Sequence, residues 1–429
     1  MCAPTNLAYC GPAQTVTISH VLDPASSTLV ASPNQVLAAP SAQSNITLTT
    51  RAANGVQLFT SVAPVTMSTN FGTLSNVTNN NDGTYSATLT SDVAGTATVT
   101  ATVDGVTIPA TAKVDFLAGP PAVGSGLTGL VVTGGSKTAD GVQSHTATVT
   151  LKDAQGNPLS GKDGLLSLAA TPATGVTAGS FTQVSPGVYE AAVTSTVAGA
   201  KSVAATFDAA GANLAIGSGT ATFVPGAPTG AGQSTVSATT TPKRANSLDA
   251  QTLTVRVKDS TGNPVPGIAA QLSVPVLPSG VSVGNFTETT AGVYTAQVTS
   301  SVAATSSLAV VFDATGSNVT LGSASVTFAL TPVAPVVLPS NGTSLSGTAT
   351  PGTTVTVFDS NGDPLGQATV QPDGTFNVAI AGPATEGATL TAVVSDAAGL
   401  QSPAIPFVVD TTAPSVPVVD SSNGVVVTG

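Results

Sequence analysis

Charge and aromatic residues are scarce in this sequence, and tryptophan is absent. Only 7% of the 429 residues are charged and 4% are aromatic, whereas ordinary soluble domains carry about 25% charged residues. Hydrophobic cores must therefore be built from Val, Ala, Leu, Thr and Ile. A flat sugar-binding platform requires Trp or clustered Tyr, so the composition argues against an array of carbohydrate-binding modules, which stays an alternative.

Basic residues are the scarcest charges. Ten Lys and Arg stand against 21 Asp and Glu, which gives a formal net charge of −11 and a pI near 4.2. Binding a phosphate backbone needs clustered basic residues, and the densest cluster is TPKRAN at 241–246. Nucleic acid is therefore excluded as a partner.

Long apolar runs are also missing. No segment approaches the roughly 18–20 apolar residues that span a bilayer, and the first residues lack a signal-peptide pattern. We therefore expect no membrane span in these residues. We interpret the chain as a fragment of an exported protein whose signal and anchor lie elsewhere.

Cysteine and histidine are limited to two residues each. Cys2 and Cys10 leave three hypotheses open: a disulfide in an oxidising compartment, a lipid-bearing Cys2, or two free thiols. His20 and His145 lie in different units without a nearby Cys or Glu, so we predict solvated strand or loop positions. An enzyme would need paired carboxylates, an activated nucleophile or metal ligands, and the pattern favours none of these.

What the sequence does contain is repetition. DGTYSATLTSDVAG (82–95) returns as PGVYEAAVTSTVAG (186–199) and AGVYTAQVTSSVAA (291–304). The motif tyrosines are spaced 104 and 105 residues apart and are Tyr85, Tyr189 and Tyr294. This period indicates three tandem units of about 105 residues.

Each unit alternates apolar and polar residues, as in HTATVTLKD and QTLTVRVKD. Period-two alternation predicts half-buried strands, and the abundant Val and Thr favour strands over helices. Turn residues recur every 8–12 positions. The predicted fold class is all-β: tandem immunoglobulin-like β-sandwich domains in an elongated array.

A second repeat lies in the turns. KDAQGNPLSG (152–161) returns as KDSTGNPVPG (258–267). The Asp can accept hydrogen bonds from backbone N–H groups two residues on, the Gly permits positive φ, and the Pro starts a strand where no donor is needed. We therefore predict a purely structural turn. The tyrosine of the GxY motif is predicted to be a corner tyrosine that bonds to the backbone a few residues upstream.

From about residue 330 the repeat is shorter and has a different pattern. TPVAPVVLPSNG and DTTAPSVPVVDSSNG share an Ala-Pro start and a Ser-Asn-Gly, about 80 residues apart. The predicted divisions are 1–15 (a leader with two Cys), 16–118, 119–126 (linker), 127–225, 226–233 (linker), 234–329, 330–410 and 411–429 (the start of a fifth domain).

These motifs resemble a known family. On ADG at 139–141, the two decapeptides and the GVY strands, residues 127–329 resemble two bacterial Ig-like domains of the invasin/intimin type. Residues 16–118 resemble a diverged copy in which RAANGVQLF replaces the decapeptide. Residues 330–410 resemble the shorter Ig-like repeats of large bacterial surface and biofilm adhesins.

The resemblance implies a passive stalk on the bacterial cell surface or outside the cell. Its neighbours would be Ig-like domains of the same chain, and a host-cell or surface receptor would be bound through regions outside these residues. An alternative is a subunit of an extracellular filament or virion decoration, built by adding a strand such as NGVVVTG to another subunit's sheet.

No required cofactor is predicted, but aspartates concentrate in the fourth domain. Calcium prefers six to eight oxygen ligands, and interdomain calcium is implied by the resemblance to the shorter adhesin repeats. We therefore predict a calcium site at the linker of the fourth domain, held by Asp396 and Asp410. The alternative is that these aspartates serve turns.

Overall fold

The computed structural model describes residues 21–59, 64–230, 232–314, 317–382 and 384–412. Cys2, Cys10, His20 and residues 413–429 of the predicted fifth domain lie outside them. The chain divides after Val224 into two compact units. Within the described residues there is no α-helix, only two single 3-10 turns, Asp163–Leu165 and Ala269–Gln271. The predicted all-β class is confirmed.

The first unit contains two sandwiches of nine strands each. The first sandwich is made of β1 (Thr28–Ser32), β2 (Gln35–Leu37), β3 (Gln43–Thr49), β4 (Val65–Thr69), β5 (Thr73–Leu74), β6 (Thr78–Asn79), β7 (Thr84–Thr90), β8 (Gly95–Val103) and β9 (Val106–Leu117). The second is made of β10 (Gly129–Val132), β11 (Ser136–Thr138), β12 (Ser144–Thr150), β13 (Leu166–Thr171), β14 (Val176–Ala178), β15 (Thr182–Ser185), β16 (Val188–Ser195), β17 (Gly199–Ala209) and β18 (Ala212–Val224).

The second unit contains a third sandwich of the same kind and a fourth with seven strands. The third is made of β19 (Thr235–Ala238), β20 (Lys243–Arg244), β21 (Gln251–Arg256), β22 (Leu272–Ser273), β23 (Val281–Val283), β24 (Thr287–Thr290), β25 (Val293–Ser300), β26 (Ala304–Ala314) and β27 (Ser317–Ala329). The fourth is made of β28 (Val336–Val337), β29 (Ser344–Thr348), β30 (Thr354–Phe358), β31 (Pro364–Thr369), β32 (Thr375–Ala379), β33 (Thr389–Ser395) and β34 (Ile405–Val408).

The three longer sandwiches share one topology. In the second, one sheet has the order β10-β12-β16-β14, with β15 also on β16, and the facing sheet has the order β11-β18-β17-β13. All pairs are antiparallel except the β11–β18 pair, which is parallel. The strand β10 therefore belongs to one sheet, and the next strand, β11, belongs to the facing sheet. One short stretch of chain thus contributes a strand to each layer.

The core follows the predicted alternation. Along β12, the side chains of Ala147 and Val149 are fully buried while the intervening threonines are partly exposed. Alternate residues of a strand point to opposite faces of a sheet, so each apolar set meets the one on the facing sheet. Burial of this apolar surface is the main driving force for each sandwich.

His145 corrects one prediction, because it is fully buried rather than solvated. Its ring nitrogens lie 2.7 Å from the carbonyl oxygen of Thr133 and 3.0 Å from that of Thr222, on the facing sheet. The ring also packs edge-on against Phe223, with centroids 5.1 Å apart. The side chain therefore connects the two sheets at one end of the domain.

The other longer sandwiches carry a different polar residue at this position. In the third, the buried Gln251 donates from Nε2 to the carbonyl oxygens of Thr241, at 2.7 Å, and Thr327, at 3.0 Å. In the first, the buried Ser44 donates to the carbonyl oxygen of Pro33 at 2.6 Å. The need is for a hydrogen-bonding group of suitable reach, because buried carbonyl groups are costly to leave unpaired.

We expect His145→Leu to lower the free energy of unfolding by about 1–3 kcal/mol, because it removes the ring N–H that can donate to one of these two buried carbonyl oxygens. Calorimetry of the full chain measures the loss. His145→Gln is the matched control, since Gln251 does the same work in the third domain, and we expect it to retain most of the stability. Equal losses in the two variants would contradict this assignment.

Candidate functional site

The turns predicted from the decapeptides share one geometry, which extends to turns outside them. In each, an Asp side chain accepts from the backbone N–H groups two and four residues on, and the Asp N–H donates to the carbonyl oxygen four residues on. The four aspartates are Asp153, Asp259, Asp359 and Asp396. The predicted acceptance two residues on is confirmed.

The diverged first domain forms the same backbone turn without the aspartate. Ala52 donates its N–H to the Val56 carbonyl oxygen at 2.9 Å, and the Gly55 N–H donates to the Ala52 carbonyl oxygen at 2.8 Å. The Asn54 side chain accepts from the Val56 N–H at 3.2 Å. The turn therefore does not need the carboxylate, which points to a further role for it elsewhere.

That role is visible at Asp153. Its second oxygen accepts from the N–H of Gly119, at 2.9 Å, and from the side-chain amide of Asn157, also at 2.9 Å. Gly119 lies two residues beyond the end of β9, in the segment that leads from the first domain to the second. The carboxylate is fully buried, so it holds this segment against the second domain.

Asp259 repeats the arrangement at the start of the third domain. Its second oxygen accepts from the Gly226 N–H at 2.8 Å and from the Asn263 amide at 3.0 Å, and it is 1% exposed. The glycine precedes the aspartate by 34 residues in one case and 33 in the other. This nearly equal offset is the sequence signal that could have found the contact.

Asn157 links the turn to the preceding domain. Its Nδ2 donates to the carbonyl oxygen of Asp92 at 2.9 Å, and its Oδ1 accepts from the Ala94 N–H at 2.8 Å. Both partners lie in the loop between β7 and β8 of the first sandwich. Asn157 is 5% exposed, so one side chain makes a paired, water-excluded contact between the two domains of the first unit.

The tyrosine of the GxY motif supports the chain that follows the turn. The Tyr189 hydroxyl donates to the Leu159 carbonyl oxygen at 2.5 Å and accepts from the Lys162 N–H at 3.1 Å. The bond runs 30 residues upstream, so the predicted corner tyrosine is wrong. The reason is that β16 faces the segment that runs from the turn to the other sheet, so the tyrosine hydroxyl bonds to the backbone of that segment. Burial raises the pKa of Tyr189.

The glycine of the same motif is required by close packing. Gly187 has φ of +70°, and a Cβ there would lie 2.7 Å from the Leu151 carbonyl oxygen and 2.8 Å from Cβ of Pro158. The Gly-x-Tyr motif and the Gly-Asn-Pro turn are therefore two halves of one packed unit. This explains why both recur together at the same offset.

The structure does not bring Asp396 and Asp410 together. β33 and β34 are antiparallel, with Thr389 opposite Val408. Asp396 follows the end of β33, whereas Asp410 lies beyond β34, near the start of β33. Six residues of strand separate these ends, which is roughly 20 Å. Calcium binding at either aspartate stays a prediction.

Each of these two aspartates has a local partner. The side chain of Asp396 accepts two turn N–H groups, as described above, and that of Asp410 accepts from the Thr412 N–H at 3.0 Å. The nearby Glu386 accepts from the Thr411 hydroxyl at 2.6 Å, and this bond holds the pKa of Glu386 below its ordinary value. Among the described residues, no three His, Cys, Asp or Glu are grouped to hold a metal ion.

Comparison with known families identifies the sandwiches. A family model described as Invasin, domain 3 matches residues 23–119, 128–226 and 230–331. This chain belongs to that invasin family. A second model, described as Bacterial Ig domain, matches residues 331–411. The predicted resemblance to invasin-type domains followed by shorter Ig-like repeats is confirmed. In the described ranges, no helix is long and apolar enough to cross a membrane.

Three solved structures are similar to this chain. Invasin, described as a bacterial integrin-binding protein, is 20% identical over 91% of this chain and 79% of its own, with a TM-score of 0.51. The Escherichia coli adhesin FdeC is 27% identical over 73% of this chain and all of its own, with a TM-score of 0.49. InvD of Yersinia pseudotuberculosis is 21% identical over 91% and 99%, with a TM-score of 0.46.

The buried carboxylate predicts a pH dependence. Burial by itself raises the pKa of Asp153, but hydrogen bonds from the Asn157 amide and from the Gly119, Asn157 and Gln155 N–H groups outweigh it and lower the pKa below its ordinary 3.8. The charged form therefore stabilises the fold. This contribution is complete above the unfolded pKa and is lost as the pH falls through the lower folded value.

We expect Asp153→Asn to lower the melting temperature of the second domain by an amount that is constant near neutral pH and shrinks below about pH 3.8. The amide cannot accept from both the Gly119 N–H and the Asn157 amide. Calorimetry of the full chain as a function of pH measures the difference. A difference that persists unchanged in acid would show that charge at Asp153 contributes nothing.

Proposed function

We propose that this chain is a spacer segment of a bacterial cell-surface adhesin, which holds a distal binding region away from the surface. The observation that supports the proposal is the contact between the buried Asp153 carboxylate and Gly119. In the first unit, the last residue of β9 is Leu117, so only Ala118 separates the first domain from the bonded glycine. The chain between the two domains has almost no free length.

A Pro- and Gly-rich connection such as residues 118–126 would otherwise permit motion, because domains within a chain move unless their interface restrains them. Further bonds fix the connection to the second domain. The Ala122 N–H donates to the Lys152 carbonyl oxygen at 2.8 Å, which also accepts from the Thr128 hydroxyl at 2.8 Å. Restraint of this kind suits a part that transmits position or force and performs no chemistry.

The family supports the coarser part of this proposal. FdeC is described as an adhesin and invasin as an integrin-binding protein, and such proteins act at the cell surface. We therefore place this segment outside the bacterial cell. Its receptor would be bound through regions outside these residues.

Small-angle X-ray scattering of the full chain tests the spacer role. Strands of about ten residues give each sandwich a length of roughly 35–40 Å, so four in line predict a maximum dimension of about 140–160 Å. We expect Asn157→Ala to broaden the distance distribution, since it removes both bonds to the first domain. Gln155→Ala is the matched control, because this exposed residue contributes only its backbone N–H to the turn. A compact wild-type particle would refute the proposal.

Calcium at the end of the fourth domain is a separate proposal. Thermal melting in calcium and in EDTA tests it, with Asp410→Asn and Asp396→Asn compared side by side. We expect calcium to raise the melting temperature of the wild-type chain, and Asp410→Asn to abolish that rise. If Asp396→Asn alone abolishes it, the ion lies at the other end of the β33–β34 pair. A melting temperature that is the same in calcium and in EDTA would refute the calcium proposal.

A further inference from the structure

The joint between the third and fourth sandwiches connects two kinds of repeat. The family model for the longer repeat ends at residue 331, and the model for the shorter repeat begins there. The connecting segment at 330–335, Leu-Thr-Pro-Val-Ala-Pro, contains two prolines and no glycine. It therefore lacks the counterpart of the aspartate clamp, by which we mean the bond from the Gly119 N–H to the Asp153 carboxylate at the first joint.

The turn that carries the clamp also differs in the fourth sandwich. In the second sandwich this turn follows β12, and it starts where the Leu151 N–H donates to the Gly187 carbonyl oxygen at 2.7 Å. In the fourth, the Ala349 N–H donates to the Gly374 carbonyl oxygen at 3.0 Å after β29, and the turn that follows is Thr-Pro-Gly-Thr at 350–353. Uncharged residues thus occupy the turn that holds the buried carboxylate in the second sandwich.

A second turn at the same end of the fourth sandwich does contain an aspartate, but that aspartate bonds within its own domain. Asp396 follows β33 at the end where β30 begins. One of its oxygens accepts from the Ala398 and Leu400 N–H groups, both at 2.9 Å. At the position where Asn157 contacts the preceding domain, this turn has Leu400, which is 8% exposed and has no amide group to donate.

The connecting segment itself is weakly held. In the described part of the second unit, no hydrogen bond involves residues 330–335, and the two prolines have no N–H to donate. Leu330 is 73% exposed and Val333 is 75% exposed, so neither side chain is packed into a core. By contrast, the connection at the first joint is bonded to the second domain through Gly119 and Ala122.

A cavity of about 330 Å³ lies at this joint, between the third and fourth sandwiches. Arg244 lines it from the third domain, and Gln401 and Ser402 line it from the fourth. The Arg244 side chain is paired with Asp249 of its own domain, with Nε 3.8 Å from Oδ2. Polar side chains of the two domains thus border an open space, whereas the first joint has a water-excluded contact.

We propose that residues 330–333 form a hinge, on which the fourth sandwich turns relative to the third. Domains within one chain move unless their interface restrains them, and the restraints of the first joint are missing here. Each proline fixes its own φ, and Thr331 and Ala334 are kept extended because they precede prolines. The freedom of motion is therefore concentrated at Leu330 and Val333.

Distances between pairs of spin labels, measured by double electron–electron resonance in the full chain, test the hinge. One pair spans the third and fourth sandwiches at the exposed positions Ser307→Cys and Asn377→Cys, and the matched pair spans the first and second at Thr111→Cys and Ser202→Cys. The native cysteines are replaced by serine. We expect the first distribution to be at least about twofold wider than the second, because unrestrained domains sample several orientations.

Equal widths for the two pairs would overturn the hinge. That result would leave the spacer role intact, because the spacer proposal depends on the first joint and the hinge depends on the joint between the third and fourth sandwiches alone.

Thr331→Pro tests whether the motion comes from the connecting segment. Thr331 is exposed and, within the described ranges, makes no hydrogen bond, so the change removes none. A proline at 331 fixes φ there and keeps Leu330 extended, so we expect the third–fourth distribution to narrow by at least about twofold. Thr331→Ala is the matched control and should leave the width unchanged. Equal widths in the two variants would overturn the assignment of the hinge to these residues.

Discussion

The joint between the first two domains depends on one buried carboxylate. Asp153 uses one oxygen to close its own turn and the other to hold Gly119 of the incoming chain. A buried charge is costly unless its hydrogen-bonding capacity is filled, and here four donors fill it. Because the donors come from both the turn and the linker, the buried charge is stable only when the turn and the linker are both in place in the second domain. The first domain, with Ala52 at this position, retains the turn without the carboxylate.

The three longer sandwiches satisfy buried carbonyl groups at one position with different side chains. His145, Gln251 and Ser44 occupy one position and bond to carbonyl groups of the surrounding chain. The requirement is geometric, because any donor that reaches the buried carbonyl groups satisfies it. The tyrosines are less interchangeable. The hydroxyls of Tyr189 and Tyr294 donate to equivalent carbonyl oxygens, those of Leu159 and Val265.

Repetition of a fold does not repeat every surface. The edge strand β22 of the third domain pairs with β26 at two positions, whereas the equivalent strand β13 of the second domain pairs with β17 at six. Sandwich domains that serve as spacers are expected to close such edges. In the third domain the segment after Ser273 runs to Gly280, whose carbonyl oxygen accepts from the Ser301 N–H at 3.0 Å, so the domain's own chain connects the two ends of this edge.

The sequence by itself determined the all-β class, the repeat period of about 105 residues and the turn chemistry, because alternation and turn preferences act over a few residues. Only the tertiary structure decided that His145 is buried, that Tyr189 bonds 30 residues upstream and that Asp396 and Asp410 lie at opposite ends of a strand pair. These facts depend on strand register and on which sheets face each other. Contacts between residues such as Asn157 and Asp92, 65 positions apart, form only once both domains have folded.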